Sequence, residues 1–228
     1  MAPKIETESV LDVFQDGLRH GSARLPYSPH KRYFYVEHPE EGWRVYLRSA
    51  CFLHPLYEPY RADHFLVVKR TGGDPAKATW EPPKGQMEGK DGEGGGGGGR
   101  RGGPRSGGAR VYQLLMDNIR REVAEEAKVT RVRDLWHTGL VLQSAEPDFP
   151  PNTYFQYHVF SGYVHPLQLE KAFAEFNWLE EHPEEFKALR SDKREKDALA
   201  WFDEGVKKKM MGSWSPTLVK MYLERFSG

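Results

Sequence analysis

Arg121-Glu122-Val123-Ala124-Glu125-Glu126-Ala127-Lys128-Val129 is the stretch on which the reading of this chain turns. At about 100° per residue, a helix places Tyr112, Met116, Ile119, Val123 and Ala127 within about a quarter of the circle. That face suits a core, and the spacing predicts a helix over Val111 to Lys128. Glu122, Glu125 and Glu126 form a second stripe roughly 100° away, at the edge of the buried face. Three glutamates at this spacing repel by a few tenths of a kcal/mol per pair when solvated, and by more near a core edge. Oxygen ligands in that number suit a hard divalent ion, Mg²⁺ or Mn²⁺, rather than zinc, which favours His or Cys. Taken alone, the triplet reads by default as a solvated charged face.

Working outward, Trp80-Glu81-Pro82-Pro83-Lys84-Gly85 cannot be helix, because two consecutive prolines fix φ and remove donors. Eleven of the 23 glycines lie between Gly92 and Gly108, with an unbroken run from Gly94 to Gly99. Glycine maximises the entropy lost on ordering, so Gly92 to Arg110 reads as a flexible loop. Its arginines offer an RNA contact, but a tolerated low-complexity expansion is the default.

Trp43, Val45, Leu47, Cys51 and Leu53 share one parity, the period of a half-buried strand. Phe65 to Val68 is an apolar run suited to a strand covered on both faces. Leu135 to Gln143, Tyr154 to Val164 and Ala198 to Phe202 read as further strands. Pro166 to Arg190 reads as helical with a break at His182-Pro183. Ser215 to Phe226 reads as a closing helix, with Ser215 as N-cap and Pro216 at N1. The charges of Arg194 to Asp197 are expected to face water, and His158 and His165 to be ordinary strand histidines. Residues 1–30 read as a weakly ordered arm, and 31–228 as one α/β domain carrying the insertion at 92–110.

Lys plus Arg and Asp plus Glu are both 33, so the net charge is zero. This argues against binding nucleic acid mainly by counterion release over a basic surface. No apolar run reaches membrane-spanning length, and the acidic N-terminus has no signal-peptide core. The single cysteine, Cys51, cannot form an internal disulfide and fits a reducing compartment. A cytoplasmic protein without a membrane partner is expected.

The two carboxylate-bearing tracts together resemble the Nudix hydrolases, whose box reads G-x5-E-x7-R-E-U-x-E-E-x-G-U. Its second half matches Arg121 to Val129, and its first half matches Gly85 to Asp91, after Pro82-Pro83-Lys84. Asp91 to Arg121 spans 30 positions where the family has 8, an insertion of 22 residues that splits the box. Asp91 stands where the family has Glu, which shortens the reach to Arg121. Lys128 stands where it has Gly, giving up the usual left-handed glycine for a cation suited to the helix C-terminus.

The resemblance implies an α/β/α sandwich with a mixed sheet between helices, and divalent-metal hydrolysis of a nucleoside diphosphate linked to another moiety. It implies Glu122, Glu125, Glu126 and the Lys84 carbonyl as metal ligands, with Arg121 orienting the glutamates. Glu122 and a carboxylate outside the box, such as Glu146, are alternative general bases. Lys84 and Gly85 are implied at the substrate. Of Tyr154 and Phe155, on alternate faces of a strand, one is expected in the core and one is a stacking platform for a base.

Trp80-x-Pro82-Pro83-Lys84-Gly85-x-x-Glu88 looks most like the tract of diadenosine polyphosphate hydrolases. A capped-RNA hydrolase with a similar P-K-G tract, a diphosphoinositol polyphosphate phosphohydrolase and a nucleotide-sensing binding module are the alternatives. The binding module is disfavoured because all three helix glutamates are present.

Overall fold

The structure is a computed structural model that describes residues 10–72, 80–90, 107–190, 193–203, 206 and 214–228, and the backbone of 4–6. The strands in chain order are β1 (Lys4–Glu6), β2 (Arg19–Leu25), β3 (Ser28–Glu37), β4 (Arg44–Pro55), β5 (Leu66–Arg70), β6 (Trp80–Glu81), β7 (Lys84–Gln86), β8 (Val132–Ala145), β9 (Thr153–Val164) and β10 (Lys196–Trp201). The helices are α1 (Gly107–Glu126), α2 (Pro166–Glu181), α3 (Pro183–Ala188) and α4 (Trp214–Phe226). The larger sheet has the order β1-β8-β9-β4-β3-β2, with β7 on β4, and the smaller one β10-β5-β6. The α/β class with a mixed sheet is as expected. No helix among the described residues is long and apolar enough to cross a membrane.

Two compact units divide the chain: residues 1–49, 85–118 and 141–158, and residues 50–84, 119–140 and 159–228. In the first, β2 and β3 are antiparallel, with His20 opposite Val36 and Ser22 opposite Phe34. The N-terminal arm is therefore corrected over 19–30, which supplies β2 and the start of β3. The residues before β2 are also tied down. Val13 is buried, the Leu11 N–H donates to Gln143 Oε1 at 3.1 Å, and Gln156 Nε2 donates to the Leu11 carbonyl at 2.8 Å.

Strand β4 also departs from expectation, because it is buried on both faces from Val45 onward. Its polar side chains survive there by pairing, as buried polar groups must. Ser49 Oγ accepts from Asn118 Nδ2 at 2.7 Å, and Arg48 meets Glu146 at 3.1 Å. In the second unit, His54 bonds the His64 carbonyl and the Tyr222 hydroxyl, and Tyr222 stacks on Phe52 at 3.8 Å. This network holds α4 by its buried face.

Helix α1 starts at Gly107, four residues earlier than expected, so Gly107 to Arg110 belong to it and not to the glycine loop. The rest of that loop lies outside the described residues, as does Asp91. Helix α4 includes Trp214, which places Ser215 inside the helix instead of at its cap. His165 is no strand residue. It caps α2, its Nδ1 accepting from the Leu167 N–H at 3.2 Å.

Candidate active site

In the second unit, the small sheet sets the geometry. Lys196 of β10 lies opposite Arg70 of β5, and Glu81 of β6 lies opposite Val68. Positions 68 and 70 share a face of β5, since side chains alternate with period two. Lys196 and Glu81 therefore meet across the sheet, although 115 residues separate them, and the ammonium bonds Glu81 Oε1 directly. Lys196 Nζ also meets Glu126 Oε1 at 2.8 Å, and Lys84 Nζ meets Glu81 Oε2 at 3.1 Å. The Lys84 N–H donates to Glu126 Oε2 at 2.8 Å. Two acids and two lysines thus form one cluster, in which Glu81, Glu126 and Lys196 are buried.

The charges of this cluster hold one another. Burial alone would push the Glu81 carboxyl up, but the Lys84 and Lys196 ammonium groups hold it below the usual range. Burial alone would push Lys196 down, but Glu126 and Glu81 raise it above an ordinary lysine. Burial, helped by the Glu81 charge, raises Glu126 against the pull of Lys196.

One turn earlier on α1, Arg121 Nη1 meets Glu122 Oε1 at 3.0 Å and Glu125 Oε2 at 3.4 Å. Arg121, expected to orient the glutamates, therefore pairs with two of the three. Glu122 is buried, and burial is the main cause that pushes its carboxyl up to about 8. The charges of Glu126, Glu125 and Glu195 add to the rise, and Arg121 opposes it. A carboxyl with that affinity exchanges its proton near neutral pH, as an acid–base group requires.

Lys128, at the position where the resemblance has glycine, adopts φ 59°, so the left-handed conformation is kept without the glycine. A side chain in that region is unfavourable by about 1–2 kcal/mol. Its ammonium offsets this by donating to the carbonyls of Glu125 and Lys193, each at 2.9 Å, which also closes the helix end.

A cleft of about 640 Å³ opens over the cluster. Glu81, Glu126 and Glu195 line it, against five cations: Arg70, Lys84, Lys187, Arg194 and Lys196. Phe186 and Thr71 complete the wall. Cations outnumber acids, so the cleft suits a multiply charged anion.

The other expected site residues fall in the first unit. Phe155 is fully buried, stacked on Tyr46 at 5.4 Å with the Arg48 guanidinium 4.3 Å from its ring centre. It is the core aromatic of the pair, and its place as a substrate-stacking residue is corrected. Tyr154 is half-buried, as is Gly85 in β7. Glu146 is spoken for by Arg48. The sequence reading missed Glu81 and placed Lys196 in water, whereas Lys196 is 4% exposed.

The metal set implied by the resemblance fits only in part. Among the described residues, no group of three or more His, Cys, Asp or Glu side chains is arranged to hold a metal ion. Glu126 has both oxygens engaged, by Lys196 and by the Lys84 N–H. Glu122 and Glu125 each show one oxygen turned to Arg121, which leaves one apiece for a hard cation. Mg²⁺ commonly needs no more than one or two carboxylates when substrate phosphates and water complete its shell.

Neither a family model nor a curated protein matches the chain. Among solved structures, it is similar to a MutT/Nudix family protein from Listeria innocua, with 18% identity and a TM-score of 0.38 over 80% of this chain and 92% of that one. It is also similar to a protein from Listeria monocytogenes described as a Nudix hydrolase, with 13% identity and a TM-score of 0.40 over 80% and 94%.

Proposed function

We propose that the chain hydrolyses a pyrophosphate bond in a nucleoside diphosphate linked to another moiety, with a dinucleoside polyphosphate as the substrate. The observation that carries this reading is the cationic cleft, whose floor includes Glu126 and whose Glu195 adds its charge to that felt by Glu122. Arg70, Lys187 and Arg194 supply charge for the phosphates. Glu122, held by Arg121, accepts the proton of the attacking water.

Glu122 and Glu125 would hold Mg²⁺ or Mn²⁺, with the Lys84 carbonyl as the further ligand drawn from the sequence pattern. When bound, such an ion neutralises phosphate charge and acidifies water. Lys84 fixes its own main chain through the N–H to Glu126 and its ammonium through Glu81. The Trp80-x-Pro82-Pro83-Lys84-Gly85-x-x-Glu88 tract favours dinucleoside polyphosphates among the alternatives.

The test is kcat/KM for diadenosine tetraphosphate, capped RNA and an inositol pyrophosphate under one set of metal conditions. The dinucleotide is expected to lead. A competitor ahead by more than about tenfold, roughly a 1.4 kcal/mol preference, overturns the substrate. Binding without turnover of any of the three overturns the enzyme in favour of a nucleotide sensor.

A further inference from the structure

Glu126 is the most deeply buried member of the glutamate triplet, and its partners differ in kind from those of the other two. Glu122 and Glu125 share a half-buried guanidinium on their own helix. Glu126 instead receives an ammonium from another strand and a main-chain N–H from β7. That ammonium sits between two carboxylates, Glu126 at 2.8 Å and Glu81, in the bridging position that a divalent ion takes in a carboxylate site. Its side chain is 5% exposed, and those of the two acids are 5% and 3% exposed, so displacing it would strand two charges in a dry place. Lys196 is fixed from its backbone as well, by its register against Arg70 in the small sheet.

We propose that Lys196 is a resident cation of this cluster. Its ammonium, and not a metal ion, neutralises Glu126, so that a divalent ion binds through Glu122 and Glu125 and not through Glu126. Glu126 is then a positioning residue that fixes the Lys84 main chain at the cleft floor. The proposal deepens the hydrolase reading and rests on it for the role of the ion.

The test uses Mn²⁺ alone, with free ion followed by electron paramagnetic resonance and binding by calorimetry on the full chain. Wild type is expected to bind Mn²⁺, and Glu126→Gln to match it within about twofold in Kd with unchanged stoichiometry. Glu125→Gln is expected to weaken binding by more than tenfold. Lys196→Gln keeps a donor for the two acids but removes the charge, and is expected to bind one additional Mn²⁺ per chain.

A more than tenfold loss in Glu126→Gln overturns the proposal, as does wild type that binds no Mn²⁺ or Lys196→Gln that gains none. Turnover is scored separately. Wild type that binds Mn²⁺ in this pattern but cleaves no phosphoanhydride refutes the hydrolase reading, while the assignment of Lys196 stands.

Discussion

Lys196→Met removes the cation from the centre of the buried cluster while keeping an unbranched apolar stem. Two carboxylates remain in its place, their side chains 3% and 5% exposed. Removing one partner of a buried ion pair destabilises by about 3–5 kcal/mol, because the other charge stays uncompensated. Lys84 still meets Glu81 at 3.1 Å, and its N–H still reaches Glu126, which places the expected loss near the lower end, about 3 kcal/mol at pH 8.

The variant has an escape, since Glu126 can bind a proton. Burial already raises its affinity, and loss of the ammonium raises it further. A group whose folded pKa lies above its unfolded value is most favourable to folding at low pH, and that contribution is lost as pH rises through the folded pKa. The deficit against wild type should therefore be smallest near pH 5 and grow toward pH 8. Glu122 titrates in both proteins, so only its coupling to the Glu126 charge enters the difference. Denaturant unfolding of both proteins at pH 5, 7 and 8 in chelator measures it. Adding Glu126→Gln to Lys196→Met should recover at least half of the loss at pH 8. A deficit below about 1 kcal/mol at pH 8, or one that does not change with pH, refutes the buried-cluster argument.

Glu122→Gln, measured in chelator, should gain stability relative to wild type as pH rises from about 4.5 to about 8, because ionising a buried carboxyl with a raised pKa opposes folding; equal stability of the two proteins at pH 8.5 contradicts this. Phe155→Ala should lose about 3–5 kcal/mol in denaturant unfolding, as a core aromatic does, and a loss under 1 kcal/mol would restore Phe155 as a surface platform. Shortening the glycine-rich run within 92–106 should change stability by only about 1 kcal/mol, since closure entropy varies slowly with loop length, and a chain that melts far lower contradicts that expectation.

What was legible in the sequence follows from where each signal resides. Helix α1 shows in its own periodicity, and its glutamate stripe with Arg121 can be read from spacing on one element. Strands β2 and β3 cannot be read that way. Arg19 to Leu25 has only one fully buried side chain, so its strand comes from antiparallel pairing and not from alternating burial. The alternation expected of β4 is hidden for the opposite reason, since Arg48, Ser49 and His54 are buried with partners.

In the site, Lys84 and Glu126 are 42 residues apart and were joined beforehand only by a family pattern. Glu81 and Lys196 belong to no such pattern, and only the register of β10-β5-β6 brings them together. An acid between Trp80 and Pro82 was the local hint of burial for Glu81, whereas for Lys196 the irregularity before Ala198 breaks the alternation that would have marked its face.

The central claim is that this chain breaks a phosphoanhydride bond by attack of water, with Glu122 taking the proton. Diadenosine tetraphosphate incubated with wild type and Mg²⁺ in ¹⁸O-labelled water, with products resolved by mass, tests it directly. The account predicts two phosphorylated products, one ¹⁸O per cleavage, and loss of the reaction by orders of magnitude in Glu122→Gln. Intact substrate with wild type, or undiminished cleavage in Glu122→Gln, contradicts it.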